Sequence, residues 1–300
     1  MSIATQIIEY CESGELDALQ RLYDETKFDI NIEEPFRVAC DCDHKHIAEW
    51  LLKLDPDFDI HFRNNYVFKW ACFYGYKDIV EWIFELDPNL DIRSEDDLAF
   101  QWACHSDLDI AKWLIKLDPD INIHADNDSV FRIRCRSGDI DAVKWLLKLD
   151  PRLDIHVNDD EPFRDACQYG LTNMAEWLFG LDPDINIHAC DEFAFRKACE
   201  GDHKHIAKWL LDIDPDLNIH ACDDEAFRDA CYFGLNDIAE WLLKLDPKLD
   251  IHVKNDEPFR WACSNGHKDT AEWLLGLYPD INIHADDDYA FRGACNHSKI

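Results

Sequence analysis

Hydrophobic and polar positions recur along this chain with a period of about 32 residues. The copy from Phe227 to His252 carries the full pattern, and the next copy begins at Phe259. Apolar residues lie at i, i+3 and i+4 in the first half of the copy, and at i, i+3, i+4 and i+7 in the second half. Both spacings place apolar residues on one face of an α-helix. Each copy therefore predicts a helix, a turn, a second helix and a loop.

Glycine and proline mark where these helices end. Gly234 stands between the two helices of its copy, where a backbone with positive φ suits glycine best. Pro247 follows the second helix and predicts its end, because the residue before a proline avoids the helical conformation. The same turn position is occupied by Gly14, Gly75, Gly138, Gly170 and Gly266.

Repetition at this period predicts a solenoid rather than a single globular core. One copy buries too few side chains to fold alone, so neighbouring units must stabilise one another. We predict a degenerate N-terminal capping repeat in residues 1–35, eight repeats in residues 36–290 and a partial C-terminal repeat in residues 291–300. The predicted fold is all-α, with about nine helix-turn-helix units and a C-terminal half-unit. Full units begin at Phe36, Phe68, Phe100, Phe131, Phe163, Phe195, Phe227 and Phe259.

The residues of the repeat resemble the ankyrin-repeat motif. Residues 257–263, Glu-Pro-Phe-Arg-Trp-Ala-Cys, resemble the Thr-Pro-Leu-His-x-Ala-Ala opening, and residues 266–267 resemble the Gly-His turn. Residues 238–243 are similar to Ile-Val-x-x-Leu-Leu, and residues 250–252 to Asp-Val-Asn. The variant motif is most similar to the divergent ankyrin-repeat proteins of giant DNA viruses. This resemblance implies an ankyrin-like solenoid that binds proteins, and an intracellular viral protein that acts on host targets.

The loops between repeats depart from the ankyrin pattern. His252 and Phe259 lie closer in sequence than the corresponding ankyrin residues do, so we expect shortened loops in place of long β-hairpin fingers. These loops are acidic, as in the run Asp223, Asp224 and Glu225. We therefore expect short acidic loops between the repeats.

The chain as a whole is strongly acidic, with 63 acidic and 30 basic residues and a formal net charge of −33. Such a surface repels the phosphates of nucleic acids and anionic lipids, so neither is an expected partner. It favours a protein partner with a basic surface. Two alternatives are an acidic decoy that imitates nucleic acid for basic proteins, and a solenoid that binds divalent metal ions. No apolar run is long enough to span a membrane, and we expect a monomer.

Cysteine usage indicates a reducing, cytoplasmic environment. Ten of the thirteen cysteines occupy one equivalent position in successive repeats. Equivalent atoms of stacked helices lie about 8–10 Å apart, whereas a disulfide needs Cα atoms within about 7 Å. We therefore expect buried thiols that pack as small hydrophobic residues. The ten are Cys11, Cys40, Cys72, Cys104, Cys135, Cys167, Cys199, Cys231, Cys263 and Cys295.

Three other repeated series are interpreted as framework. A histidine occupies the place of the ankyrin Asn that braces the loop, a tryptophan lies in the apolar stripe of the second helix, and an arginine is expected to pair with loop aspartates. No nucleophile–base pair or phosphate-binding loop stands out, so we predict a non-enzymatic protein without cofactor or metal. The series are His61, His124, His156, His188, His220, His252 and His284; Trp50, Trp82, Trp113, Trp145, Trp177, Trp209, Trp241 and Trp273; and Arg37, Arg132, Arg164, Arg196, Arg228, Arg260 and Arg292.

The positions at which the copies differ are the candidates for function. The two residues directly after the core cysteine, and the residue two before it, vary freely between copies. By the ankyrin resemblance, the two that follow the cysteine lie on the concave face, near the ends of the first helices. Aromatic residues at variable, exposed positions are typical of interface anchors. The predicted partner-binding residues are Phe73, Tyr74, Trp70, Trp102, Tyr169, Tyr232, Phe233 and Trp261.

Overall fold

The computed structural model describes residues 2–27 and 31–297, without the side chains of residues 296 and 297. Within these ranges the chain forms nineteen α-helices and no β-strand. The first eighteen helices form nine helix-turn-helix pairs, and the last begins a further repeat. They are α1 (Ile3–Ser13), α2 (Leu16–Thr26), α3 (Glu33–Asp41), α4 (Lys45–Leu54), α5 (Phe62–Tyr74), α6 (Lys77–Leu86), α7 (Ser94–Ser106), α8 (Leu108–Leu117), α9 (Ala125–Arg136), α10 (Ile140–Leu149), α11 (Val157–Gln168), α12 (Thr172–Leu181), α13 (Ala189–Glu200), α14 (Lys204–Ile213), α15 (Ala221–Tyr232), α16 (Asn236–Leu245), α17 (Val253–Ser264), α18 (Lys268–Leu277) and α19 (Ala285–His297).

The chain divides into two compact units between Arg134 and Cys135. Within each unit, first helices of successive repeats lie side by side, as α5 does with α7 and α15 with α17. Each first helix also packs against the second helix of its own repeat, as α11 does against α12. The predicted all-α fold of ankyrin-like helix pairs is confirmed. Of the predicted terminal repeats, residues 1, 28–30 and 298–300 lie outside the described residues.

Aromatic contacts join neighbouring repeats in the core. In the first unit, the ring of Phe36 lies 6.2 Å from that of Trp82 in the next repeat, measured between centroids. In the second unit, Phe163 lies 6.1 Å from Trp209, again one repeat further along. These tryptophans pack at the repeat interface, as the sequence predicted. The phenylalanines that are wholly enclosed are Phe36, Phe68, Phe100, Phe131, Phe163, Phe195 and Phe227.

The core cysteines are thiols rather than disulfides, as predicted. Eight of the ten are buried, and Cys263 and Cys295 are half-buried. Burial raises the pKa of Cys11 to about 12 and that of Cys263 to about 11. These thiols therefore stay protonated at neutral pH, and they act as small packing groups.

The tight turn within a repeat depends on glycine for two reasons. Gly234, between α15 and α16, has a φ of 72°, which confirms the predicted positive φ. A Cβ atom there would also lie 2.5 Å from the ring of His267 in the next repeat. Any larger residue would therefore strain the backbone and displace the neighbouring repeat.

From α5 onward, each first helix contains a short left-handed turn near its start, in place of a hairpin finger. Its three residues have φ values from 50° to 64°. Outside glycine this conformation costs about 1–2 kcal/mol per residue, so specific contacts must stabilise it. The hydrophobic pattern, which places the start of each full repeat at a phenylalanine, does not predict this turn. The turns are Arg63–Asn65, Glu95–Asp97, Asp126–Asp128, Asn158–Asp160, Cys190–Glu192, Cys222–Asp224, Lys254–Asp256 and Asp286–Asp288.

From α9 onward, an arginine on the first helix holds the left-handed turn through its main-chain carbonyls. Arg196 Nε donates to the Asp191 carbonyl at 2.7 Å, and Nη2 donates to the Cys190 carbonyl at 2.9 Å. Its remaining nitrogen, Nη1, lies 2.6 Å from Glu225 of the next repeat. Within a repeat, the arginines therefore pair with the loop residues through main-chain carbonyls. The predicted pairing with a loop aspartate carboxylate is made between repeats, where Arg260 Nη1 donates to Asp286. The same carbonyl bonds are made by Arg132, Arg164, Arg228 and Arg260.

A histidine and the third residue of the left-handed turn connect neighbouring repeats, and we call this contact the histidine clamp. His188 Nδ1 lies 3.0 Å from the Glu192 carboxylate, and Nε2 lies 3.1 Å from Asp214 in the next repeat. Glu192 is buried and also accepts the Asn218 N–H at 3.3 Å. The histidines thus brace the loops, as predicted. The contact between the ring and the turn residue is also made by His61, His124, His156, His220, His252 and His284.

The clamps change the pKa values of their members. For His220, burial lowers the pKa, but hydrogen bonds to Asp224 and Asp246 outweigh it and raise the pKa overall. The Lys248 N–H and His220 lower the pKa of Asp246. A raised histidine pKa adds stability that is complete below the unfolded value of about 6.5 and is lost as pH rises through the folded value. A lowered aspartate pKa adds stability above about 3.9 that is lost as pH falls through the folded value.

We expect the urea midpoint of the protein to be higher near pH 6 than near pH 8, where the raised histidines lose their protons. The double variant His188→Gln/His220→Gln keeps polar side chains that cannot titrate, so it should reduce this difference. His105→Gln, outside the clamps, is the control and should leave the difference unchanged. An identical pH dependence in the wild type and the double variant would contradict the clamp mechanism.

Candidate protein-binding surface

Within each unit, the variable positions of successive first helices meet across the repeat boundaries, and we call them the first-helix row. The residue directly after one core cysteine contacts the residue two before the next core cysteine. The centroids of Phe73 and Trp102 lie 5.3 Å apart, and those of Tyr232 and Trp261 are also 5.3 Å apart. The predicted binding residues therefore belong to surfaces shared between repeats rather than to separate positions.

In the unit of residues 1–134, the row carries a compact aromatic cluster. The ring of Trp70 lies 5.2 Å from Phe73, 5.5 Å from Tyr74 and 5.5 Å from Trp102. The structure thus brings together all four residues that were predicted on α5 and α7. Tyr74 is exposed over 48% of its surface, so the cluster is open to solvent.

Two further rings belong to this aromatic cluster and were not predicted. Tyr66 lies 5.5 Å from Trp70, and Tyr76 stacks on Tyr74 at 5.5 Å with 17° between the ring planes. Tyr66 stands one helical turn before Trp70, and Tyr76 follows α5 in the turn. Neither occupies a position that the comparison of copies singles out, although the i, i+4 spacing of Tyr66 and Trp70 was a usable signal.

Carboxylates border the aromatic cluster. Burial raises the pKa of Tyr66, and the nearby Asp41 raises it further. Burial likewise raises the pKa of Tyr76, and the nearby Asp43 raises it further. Arg37 pairs with Asp41 and also contacts Tyr66, whose pKa it lowers. The cluster therefore has an apolar centre and a charged edge at which Asp43 is the exposed carboxylate, a combination that suits a partner with both apolar and basic side chains.

In the unit of residues 135–300, the predicted aromatic residues occupy two separate places. Tyr232 lies 4.8 Å from Phe233 and 5.3 Å from Trp261, and these three form a second aromatic group. Tyr169, the residue directly after α11, instead lies under the guanidinium of Arg136, whose central carbon is 5.9 Å from the ring centroid. Nothing in the repeat pattern predicts that an arginine covers Tyr169.

Carboxylates also gather beside the second aromatic group. Lys197 Nζ pairs with Glu200 and lies 3.2 Å from Glu225 and 3.8 Å from Asp229. One ammonium group thus serves three carboxylates, although Arg196 also pairs with Glu225. Burial raises the pKa of Asp229 to about 6, where Lys197 opposes the rise and Glu225 and Glu200 add to it.

The metal-binding alternative requires ligand side chains that converge on one ion among the described residues. Among them, no group of three or more His, Cys, Asp or Glu side chains is placed to hold an ion. The clamp histidines use Nδ1 for an amide oxygen or carboxylate of their own repeat, as His156 does with Asp160 at 2.6 Å.

No helix in the described part of the chain combines the length and the apolar character that crossing a membrane requires.

Replacing Arg136 tests how strongly the row contributes to stability. Its Nη2 donates to Asp165 Oδ2 at 2.6 Å, and Asp165 is buried. Arg136→Gln removes the charged donor from this carboxylate and should lower the free energy of unfolding by about 1–3 kcal/mol. Arg152→Gln removes a pair with Asp150 on a far more exposed side chain, and this loss should stay below about 1 kcal/mol. Chemical denaturation measures both losses, and equal values would contradict the structural role of Arg136.

Comparison with known proteins agrees with the repeat architecture. The sequence profile described as ankyrin repeats matches three copies, in residues 100–189, 163–255 and 195–287. The search against curated proteins found no match, so the similarity to giant-virus proteins stays a prediction. The matched copies together span more than half of the sequence. The chain therefore belongs to the ankyrin-repeat family.

Proposed function

We propose that the protein is a non-enzymatic scaffold that binds a protein partner with a basic surface along the first-helix row. Ankyrin repeats are in general protein-protein interaction modules, which supports a role of this class. The observation that carries the proposal is the aromatic cluster, in which six rings lie together on an otherwise acidic chain. Tyr74 is exposed and the other five rings are half-buried, and a folded protein gains little from leaving such rings partly open to solvent unless they serve as anchors.

The charge of the chain supports the choice of a basic partner. The formal net charge is −33, and the carboxylates of Asp41 and Asp43 border the cluster. Opposite charge on the partner would speed the encounter, and the aromatic anchors would supply most of the affinity. The buried thiols suit a reducing, intracellular setting, and we place the protein there as part of this proposal. A viral origin with a host target is the narrower form of the same idea.

Affinity capture with the full chain as bait tests this function. Tyr74→Ala and Phe233→Ala remove anchors that are exposed, so folding should be little affected, while binding should weaken by about tenfold or more. Leu181→Ala removes a comparably exposed apolar side chain from the second helix α12 and is the matched control. Partners that Tyr74→Ala or Phe233→Ala loses, and that Leu181→Ala retains, are the expected result.

The decoy alternative predicts a different outcome of the same experiment. The net charge of −33 by itself would attract many basic proteins, and this attraction would weaken steeply with salt. Capture that disappears at high salt and is unchanged by both aromatic substitutions would favour the decoy and reject the scaffold. Capture that depends on the rings at moderate salt would reject the decoy.

A further inference from the structure

One arginine of the row shows how this surface holds a guanidinium group. Arg136 Nε and Nη2 donate to Asp165 Oδ2 at 2.8 and 2.6 Å, and Nη2 also donates to Glu161 Oε1 at 3.1 Å. The flat guanidinium covers the ring of Tyr169 at 5.9 Å. Arg136 follows a core cysteine directly, while Asp165 and Tyr169 stand two before and two after the next core cysteine.

Two repeats later, the equivalent positions carry the hydrogen-bond acceptors and the aromatic ring, but not the arginine donor. Glu225 and Asp229 stand where Glu161 and Asp165 do, and Phe233 stands where Tyr169 does; these are consequences of the repeat register. The position of Arg136 is occupied by Glu200. The frame that holds an arginine in one repeat is therefore present in another with a carboxylate in place of the arginine.

Lysine and arginine side chains nearby only partly compensate for this exchange. Lys197 is shared between Glu200, Glu225 and Asp229, as described above. Arg228, the adjacent arginine of α15, directs Nη1 to Glu257 at 2.5 Å. Phe233 is 45% exposed. In the described part of the chain, Arg228 lies over Trp261 at 5.6 Å, and no lysine or arginine lies over Phe233.

We propose that Glu200, Asp229 and Phe233 form a receptor site for an arginine side chain of the partner protein. The incoming guanidinium lies over Phe233 and donates to Asp229, as Arg136 does in its own repeat. Glu200 supplies the further acceptor that its repeat position brings to this place. The inference rests on the proposed function, because the first-helix row must be the surface on which the partner lies.

Arginine fits this site better than lysine for a geometric reason. A guanidinium is flat, so it can stack on Phe233 and present its N–H groups to Asp229 in the same plane. An ammonium is compact and has no planar fork, so it cannot stack flat on Phe233 while it donates to Asp229. The site therefore selects an arginine-containing segment rather than any basic segment.

Nuclear magnetic resonance titration of the full chain tests the site directly. The probes are N-acetyl-argininamide and N-acetyl-lysinamide, and the signals are the ¹³C carboxyl of Asp229 and the ring protons of Phe233. We expect saturable shifts with the arginine amide and about tenfold weaker binding of the lysine amide, which lacks the forked donor. Equal, non-saturating shifts with both amides would overturn the proposal.

Three substitutions distinguish binding at this site from a general effect of negative charge. Glu200→Arg restores the arrangement of Arg136, so an internal guanidinium should occupy the site, lower the pKa of Asp229 and abolish binding of the amide. Glu176→Arg makes the same charge change on the exposed side of α12 and should leave binding nearly unchanged. Phe233→Ala, which removes the stacking face, should weaken binding about two- to fivefold.

The outcomes distinguish this inference from the proposed function. An unchanged titration in Glu200→Arg, with the wild-type circular dichroism spectrum retained, would overturn the arginine site. Capture of partners that depends on Tyr74, in the other unit, would leave the proposed function intact in that case. Selective binding of the arginine amide without any ring-dependent partner would support the site and reject the scaffold function.

Discussion

The buried acidic or amide side chain that closes every left-handed turn except the last, at Asp288, is the constraint on which the rest of the fold depends. Glu192 shows the arrangement, since its carboxylate faces His188 and also accepts the Asn218 N–H of the next repeat. A carboxylate without such partners would be costly to bury. The turn has an unfavourable backbone conformation and carries a buried charge, and both are stabilised only when two repeats are stacked. The local conformation of each turn is therefore coupled to the neighbouring repeat.

This coupling leaves the first-helix row free to vary. The clamps, the arginine–carbonyl bonds and the buried phenylalanines recur in successive repeats, so they hold neighbouring repeats together. The contacts within the row differ from one repeat boundary to the next. They are a pair of rings at Phe73 and Trp102, and an ion pair at Arg136 and Asp165. Side chains that the framework does not need can thus be selected for a partner, which is how a repeat array gains specificity without a new fold.

The acidity of the chain has two different physical roles. Carboxylates such as Asp160 and Asp224 point inward, and they are held by clamp histidines at 2.6 Å. They add to the formal charge but contribute to cohesion between repeats. The carboxylates near the aromatic cluster and beside Phe233 lie at the surface of the row. The carboxylates of this second set are exposed or half-buried, so they can act on an approaching partner, and the field at the row matters more than the total charge.

The sequence by itself determined the repeat, the helix pairs, the buried phenylalanines and cysteines, and the aromatic residues of the row, because each follows from local periodicity or from comparing copies. It also indicated that the histidines brace the loops. The left-handed turns, the carbonyl acceptors of the arginines, and the inclusion of Tyr66 and Tyr76 in the cluster were decided only by the tertiary structure. The contact of the Arg136 guanidinium with the face of the Tyr169 ring was also decided only by the tertiary structure. The turns and the carbonyl bonds depend on the path of the backbone, and the contact between Arg136 and Tyr169 depends on a distance between residues about one repeat apart. A pattern of residue types along the chain contains neither.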